Sequence, residues 1–165
     1  MSADRKPSWA SQRHRARTLA LQMIFEADFS ARSVDEIYAR RLAEEDVPAR
    51  VAAYAQELFH GAYERREEYD SMIARLAPTW PLEQMARIDR NILRLALYEV
   101  LESPEVPMRA AINEAVELAK EFGSDASSRF INGVLGTVAA QRTEARDGQA
   151  DEPEDGEPQV APGES

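Results

Sequence analysis

A chain of 165 residues, 44% of them hydrophobic, is long enough to bury one core, or two small subdomains sharing one, with tails to spare. It contains no cysteine, which excludes disulfides and thiolate metal sites, and no apolar run suited to a bilayer span or a signal peptide, so a soluble cytoplasmic protein is expected. The formal net charge of -10 argues against a nucleic-acid partner only while it is undivided: residues 1–17 carry +4, residues 144–165 carry -7, and the rest carry -7.

Residues 1–10 are polar, with Pro7 and a lone Trp9, and read as a flexible arm. Ser11 to Phe29 reads as one helix with unlike halves, Ser11 being its expected cap. The first half carries Arg13, His14, Arg15 and Arg17; the second carries Leu19, Leu21, Met23, Ile24, Phe25 and Phe29, apolar over so much of its circumference that it must pack on more than one side. Cations near a helix start oppose the macrodipole, and an anionic ligand would offset that cost. The competing reading is a merely solubilising helix end.

Ser33 with Glu36 forms a capping-box signature for a surface helix through about Glu45. Pro48 opens a long element whose apolar pattern runs from Val51 to Leu76, with Gly61 a kink or a packing point. Pro78 and Pro81 stop it and divide the chain into halves. A central helix follows through Ile88, Ile92, Leu93, Leu97 and Leu101, interrupted by Arg87, Asp89, Arg90, Asn91, Arg94 and Glu99. Met108 to Phe122 forms the next, with Gly123 as its C′ residue and Ser124 or Asp125 as cap of the last, which carries Ile131, Val134, Leu135 and Val138. No stretch alternates with period two, so the fold is all-α. Residues 143–165 turn to Asp, Glu, Gly, Pro and Gln and are expected to form a disordered acidic tail.

No catalytic constellation is evident, and neither a metal nor a cofactor is expected. His14 and His60 lack ligands at metal-binding spacing, and Glu114, Glu117 and Glu121 read as a solvated helix face. Gly133 and Gly136, although spaced like the backbone clamp of a KH domain, sit in a helical pattern and suggest close helix packing. Arg129 and Phe130 stand near a helix start, where an aromatic can stack on a base while backbone N–H groups meet phosphate. A purely core role for Phe130 is the alternative.

Several segments carry a resemblance. Arg-His-Arg-Ala-Arg-Thr-Leu-Ala-Leu-Gln-Met-Ile-Phe at 13–25, Ile-Asp-Arg-Asn-Ile-Leu-Arg-Leu-Ala-Leu-Tyr-Glu at 88–99, Val106-Pro107, Ala-Ile-Asn-Glu-Ala-Val-Glu-Leu-Ala-Lys at 111–120, and Phe-Ile-Asn-Gly-Val-Leu at 130–135 together resemble the NusB family of bacterial transcription antitermination factors. The resemblance implies two small helical bundles packed together within residues 11–142, and no enzymatic activity. It implies binding of boxA-type single-stranded RNA together with NusE, a protein of the small ribosomal subunit. Other Nus factors and RNA polymerase would join through that complex, in support of ribosomal RNA transcription. By the same resemblance Arg13, Arg15, Arg17, Gln22, Phe25 and Phe130 form the RNA surface, and Glu83 and Asp89 face NusE. His14 stands where an arginine is common, and Phe25 replaces a frequent tyrosine. An alternative is the related N-terminal module of ribosomal RNA cytosine methyltransferases. Monomer and homodimer are both compatible with the sequence.

Overall fold

The computed structural model describes residues 8–150; residues 1–7 and 151–165, with most of the expected arm and acidic tail, lie outside the described residues. Among the described residues seven α-helices follow one another: α1 (Trp9–Phe29), α2 (Val34–Glu44), α3 (Ala49–Glu64), α4 (Arg66–Leu76), α5 (Arg87–Glu102), α6 (Met108–Phe122) and α7 (Ser127–Ala150), with a 3₁₀ turn at Leu82–Gln84. There is no strand among the described residues. Helices α1 to α3 form one small bundle and α5 to α7 a second, with α4 docked on α5 and α7. The two bundles share a single continuous core that runs from Ala16 to Val138.

Helix α5 is what the bundles share. It packs against α1, α3, α4, α6 and α7, and its buried residues fall on nearly every side. Four of the polar residues that interrupt its apolar pattern, Asp89, Asn91, Arg94 and Glu99, are themselves buried. Burying charge is costly unless it is paired, and Asn91, Arg94 and Glu99 find partners on other helices, whereas Asp89 Oδ1 has none.

Local expectations fared unevenly. Ser33 does cap α2, accepting from the Glu36 N–H at 3.2 Å. Helix α1, however, starts two residues before its expected cap: Ser8 accepts from the Ser11 N–H at 3.2 Å, and Ser11 lies in the first turn. The extra turn is held by Trp9, whose ring meets Tyr54 edge-on at 5.9 Å. Arg13 to Arg17 therefore begin a full turn inside the helix, where the macrodipole penalty has largely faded. The long third element breaks at Arg65, not at Gly61. Helix α7 begins at Ser127, later than the expected caps, with Ser124 N–H donating to Ser127 Oγ at 2.9 Å. It then continues to Ala150, through residues 143–150 of the expected disordered tail.

The glycines divide by surroundings. A Cβ on Gly61 would stand 2.1 Å from Tyr98 Cε2, so this glycine marks a close approach of α3 to α5. At Gly123 the backbone is extended, and a Cβ would meet Ala119 O at 2.7 Å and the Ser127 side chain at 2.6 Å; crowding, not a left-handed turn, requires glycine there. Gly133 and Gly136 correct the packing expectation, because a Cβ on either would find open space. For Gly61→Ala the helix-propensity gain of about 1 kcal/mol is outweighed by overpacking of roughly 1–3 kcal/mol, so thermal stability should fall. In a Tyr98→Ala background the same change should stabilise. Thermal melts of the four proteins of that cycle read the change of sign directly.

Candidate nucleic-acid interface

Helix α1 displays its arginines on different sides, and the structure separates them. Arg17 is buried at 4% exposure. Its Nε and Nη2 donate to the two carboxylate oxygens of Glu99 at 2.6 and 2.8 Å, and Tyr54 Oη donates to Glu99 Oε2 at 2.6 Å. Burial alone would lower the Arg17 pKa, but the hydrogen bonds and charge of Glu99 reverse the effect and raise it. Burial and the adjacent Glu99 carboxylate push the Tyr54 hydroxyl well up. The arginine expected to contact phosphate is thus committed to a buried pair joining α1 to α5, a correction to its reading as part of an RNA surface.

Arg15 remains outward, and Arg13 is half-buried. Arg15 is exposed and donates to the Asp46 carbonyl at 3.0 Å, while Arg13 lies 5.0 Å from the Trp9 ring and 5.8 Å from that of Tyr54. Among the described residues neither forms an ion pair. His14, between them in sequence, points to α6, its Nδ1 2.9 Å from Glu114 and its Nε2 3.6 Å from Glu121. Those glutamates, expected to be merely solvated, therefore hold α1 beside α6.

Further along α1, Gln22 accepts a hydrogen bond from Arg41 of α2 through its side-chain oxygen. Phe25 is 40% exposed, packs on Phe29 at 5.2 Å, and joins Leu21, Gln22, Ile88 and Phe122 around a shallow groove. Across the α5 start lies a second groove of about 310 Å³, lined by Trp80, Gln84, Asp89, Ser127 and Phe130 among others. Phe130 is half-buried, packing on the core while its ring faces Trp80 at 6.4 Å. Its inner side is therefore core, and its outer side borders the groove. Asp89 is buried with Oδ1 lacking any partner, whereas Glu83 is exposed in the 3₁₀ turn. Arg129 is exposed on a neighbouring face with Asn113, Lys120 and Asn132.

The expected site residues therefore fall into a cationic end, Arg13 and Arg15, and an aromatic end, Phe25 and Phe130, flanking the α5 start. Arg13 and Phe25 lie twelve positions apart on the helix, about 18 Å. Sequence reasoning missed Glu99, Tyr54, Trp80 and Arg50. Glu99 alone carried a signal, because it continues the apolar stripe of Ile92 and Ala96.

These features define an all-α, helical-bundle protein whose candidate site is an open surface. Among the described residues no group of three or more side chains is placed to hold a metal ion, and no helix is long and apolar enough to cross a membrane. The profile of the NusB family matches residues 14–140, and the chain belongs to that family. It is 50% identical over 134 residues to the transcription antitermination protein NusB of Chloroflexus aggregans, covering 80% of this chain and 89% of that one. It is 49% identical over 141 residues to NusB of a Roseiflexus species, covering 84% and 99%. Among solved structures, NusB of T. maritima superposes with a TM-score of 0.69 at 29% identity, covering 83% of this chain and 94% of that one. A chain from the crystal structure of antitermination factors NusB and NusE in complex with double-stranded RNA shares the fold, with a TM-score of 0.71 at 23% identity over 79% and 98% of the two chains.

Proposed function

We propose that this protein is an RNA-binding transcription antitermination factor of the cytoplasm, acting by recruitment and not by catalysis. It would bind boxA-like single-stranded RNA together with NusE, and through that complex join other Nus factors and RNA polymerase in support of ribosomal RNA transcription. The observation that carries the reading is the start of α1, where the half-buried Arg13 and the exposed Arg15 stand without a carboxylate partner among the described residues although the chain has a net charge of -10. Cations left unneutralised in an acidic protein suit a polyanion. The names of the relatives support the antitermination reading over the methyltransferase module, since the chain spans 89% and 99% of the length of the two relatives above.

In this division of labour Arg13 and Arg15 contact phosphate, while Phe25, Phe130 and Arg129 meet unstacked bases and flanking backbone. Asp89, with its unpartnered buried oxygen, and the exposed Glu83 serve the NusE side. Titration of a boxA-like single strand at several salt concentrations tests the reading. Arg13→Ala/Arg15→Ala should weaken binding and flatten the slope of log affinity against log salt by about 1.4, or about 0.7 per lost contact. An unchanged slope in a folded double variant would reject the start of α1 as the RNA site.

A further inference from the structure

At the start of α1, two residues that are not among the expected RNA contacts, Trp9 and Arg50, meet each other. Trp9 lies before the matched span, and the Arg50 guanidinium, from the first turn of α3, sits 3.6 Å from the centre of its ring. Tyr54 meets Trp9 from the core side at 5.9 Å, and Arg13 stands 5.0 Å from the same ring. Trp9 is half-buried and Arg50 exposed. The order from core to solvent is therefore Tyr54, edge-on to the indole, then Trp9, then Arg50, whose guanidinium lies over the ring on an exposed residue.

We infer that Trp9 and Arg50 form an additional subsite for single-stranded RNA, which takes one unpaired nucleotide beyond those bound along α1. The inference rests on the RNA-binding function proposed above. One observation and two general properties of stacking favour an RNA nucleotide here. Arg50, like Arg13 and Arg15, has no ion-pair partner among the described residues, so its charge remains available to phosphate. An arginine already held against an indole is pre-organised, so less side-chain freedom is lost when a base stacks on its outer side. Stacking of this kind tolerates any base, because every base has a π-face, and so extends a site without changing its sequence preference. The position also fits, since Arg13 touches the same tryptophan and makes the subsite continuous with the cationic end of α1.

The test pairs variants with RNA length. A boxA-like single strand is titrated into the full chain with and without a few extra nucleotides at its 5′ or its 3′ end. One extension should tighten binding to the unaltered protein by about tenfold, the scale of one stacking contact. Arg50→Ala and Trp9→Ala should each abolish that gain while leaving affinity for the short strand nearly unchanged. Arg50→Lys should keep the salt slope and lose most of the gain, because an ammonium cannot stack as a guanidinium does. Because Trp9→Ala could loosen the first turn of α1, the exposed Arg50 variants decide the matter. Equal losses for short and long strands, a gain that survives Arg50→Ala, or capture of an acidic peptide with no effect of RNA length would overturn the subsite. If the unaltered protein binds no strand of either length, the proposed RNA-binding function fails with it.

Discussion

Arg17→Ala is expected to destabilise the protein by about 3–5 kcal/mol, the cost of leaving one member of a buried ion pair uncompensated. For a domain of this size that corresponds to a fall in melting temperature of roughly 10 °C. The cause is specific: Glu99 would keep only the Tyr54 hydroxyl at 2.6 Å, in a site to which Arg17 now brings two short hydrogen bonds. Replacing the whole cluster, Arg17→Met with Glu99→Leu and Tyr54→Phe, should recover most of the loss, because apolar residues of similar volume often match a buried ion pair in stability. The RNA salt slope of Arg17→Ala, measured well below its melting temperature, should equal that of the unaltered chain. A flattened slope with an unshifted melting temperature would instead return Arg17 to the RNA surface.

A comparable loss is expected at the far end of α1. Arg94 is 3% exposed and donates to Asp70 at 2.7 and 2.5 Å, to Asp28 at 3.3 Å and to the Asn91 side-chain oxygen at 3.0 Å. Asn91 in turn donates to Asp28 at 2.9 Å. Arg94→Leu would leave two carboxylates with Asn91 and the more distant Arg87, 3.8 Å from Asp28, and should cost about 3–5 kcal/mol. Arg94→Lys keeps the charge but cannot grip Asp70 with two parallel hydrogen bonds, so its cost should be intermediate. Urea denaturation reads both as a lower midpoint at unchanged slope. A midpoint within error of the original for Arg94→Leu would show that the network carries no net stability.

How far the sequence could lead is clearest along α1 itself. Helical periodicity located the element, because Leu19, Met23 and Ile24 recur at a spacing that only a helix can turn to one core. Periodicity did not sort the arginines, since Arg13, Arg15 and Arg17 look alike in composition. Yet Arg17 heads the buried row Leu21 and Ile24, and Glu99 lies on the inner stripe of α5, so two opposite charges on two core faces were there to be matched. Trp9 and Arg50 left no such trace, because they meet only when α1 and α3 pack together. Gly133 and Gly136 misled for the opposite reason. Small residues in a helix suggest a close neighbour, and only the placement of α6 shows that these two face away from it.

The single core shared by both bundles bears on how the chain opens and closes. Prising α1 away from α5 would strip Arg17 from Glu99 and Asp28 from Arg94 together, at both ends of the helix, so partial separation incurs most of the penalty of complete separation. The halves cannot behave as two cooperative units joined by a hinge at Pro78 and Pro81. Pairing of residues 82 and 66 positions apart also requires large loops to close before those charges are neutralised, which places the docking of α1 on α5 late in folding. A nascent chain that has made only α1 to α4 would hold Arg17 and Asp28 without their partners, and its first bundle would gain lasting order only once α5 has been synthesised.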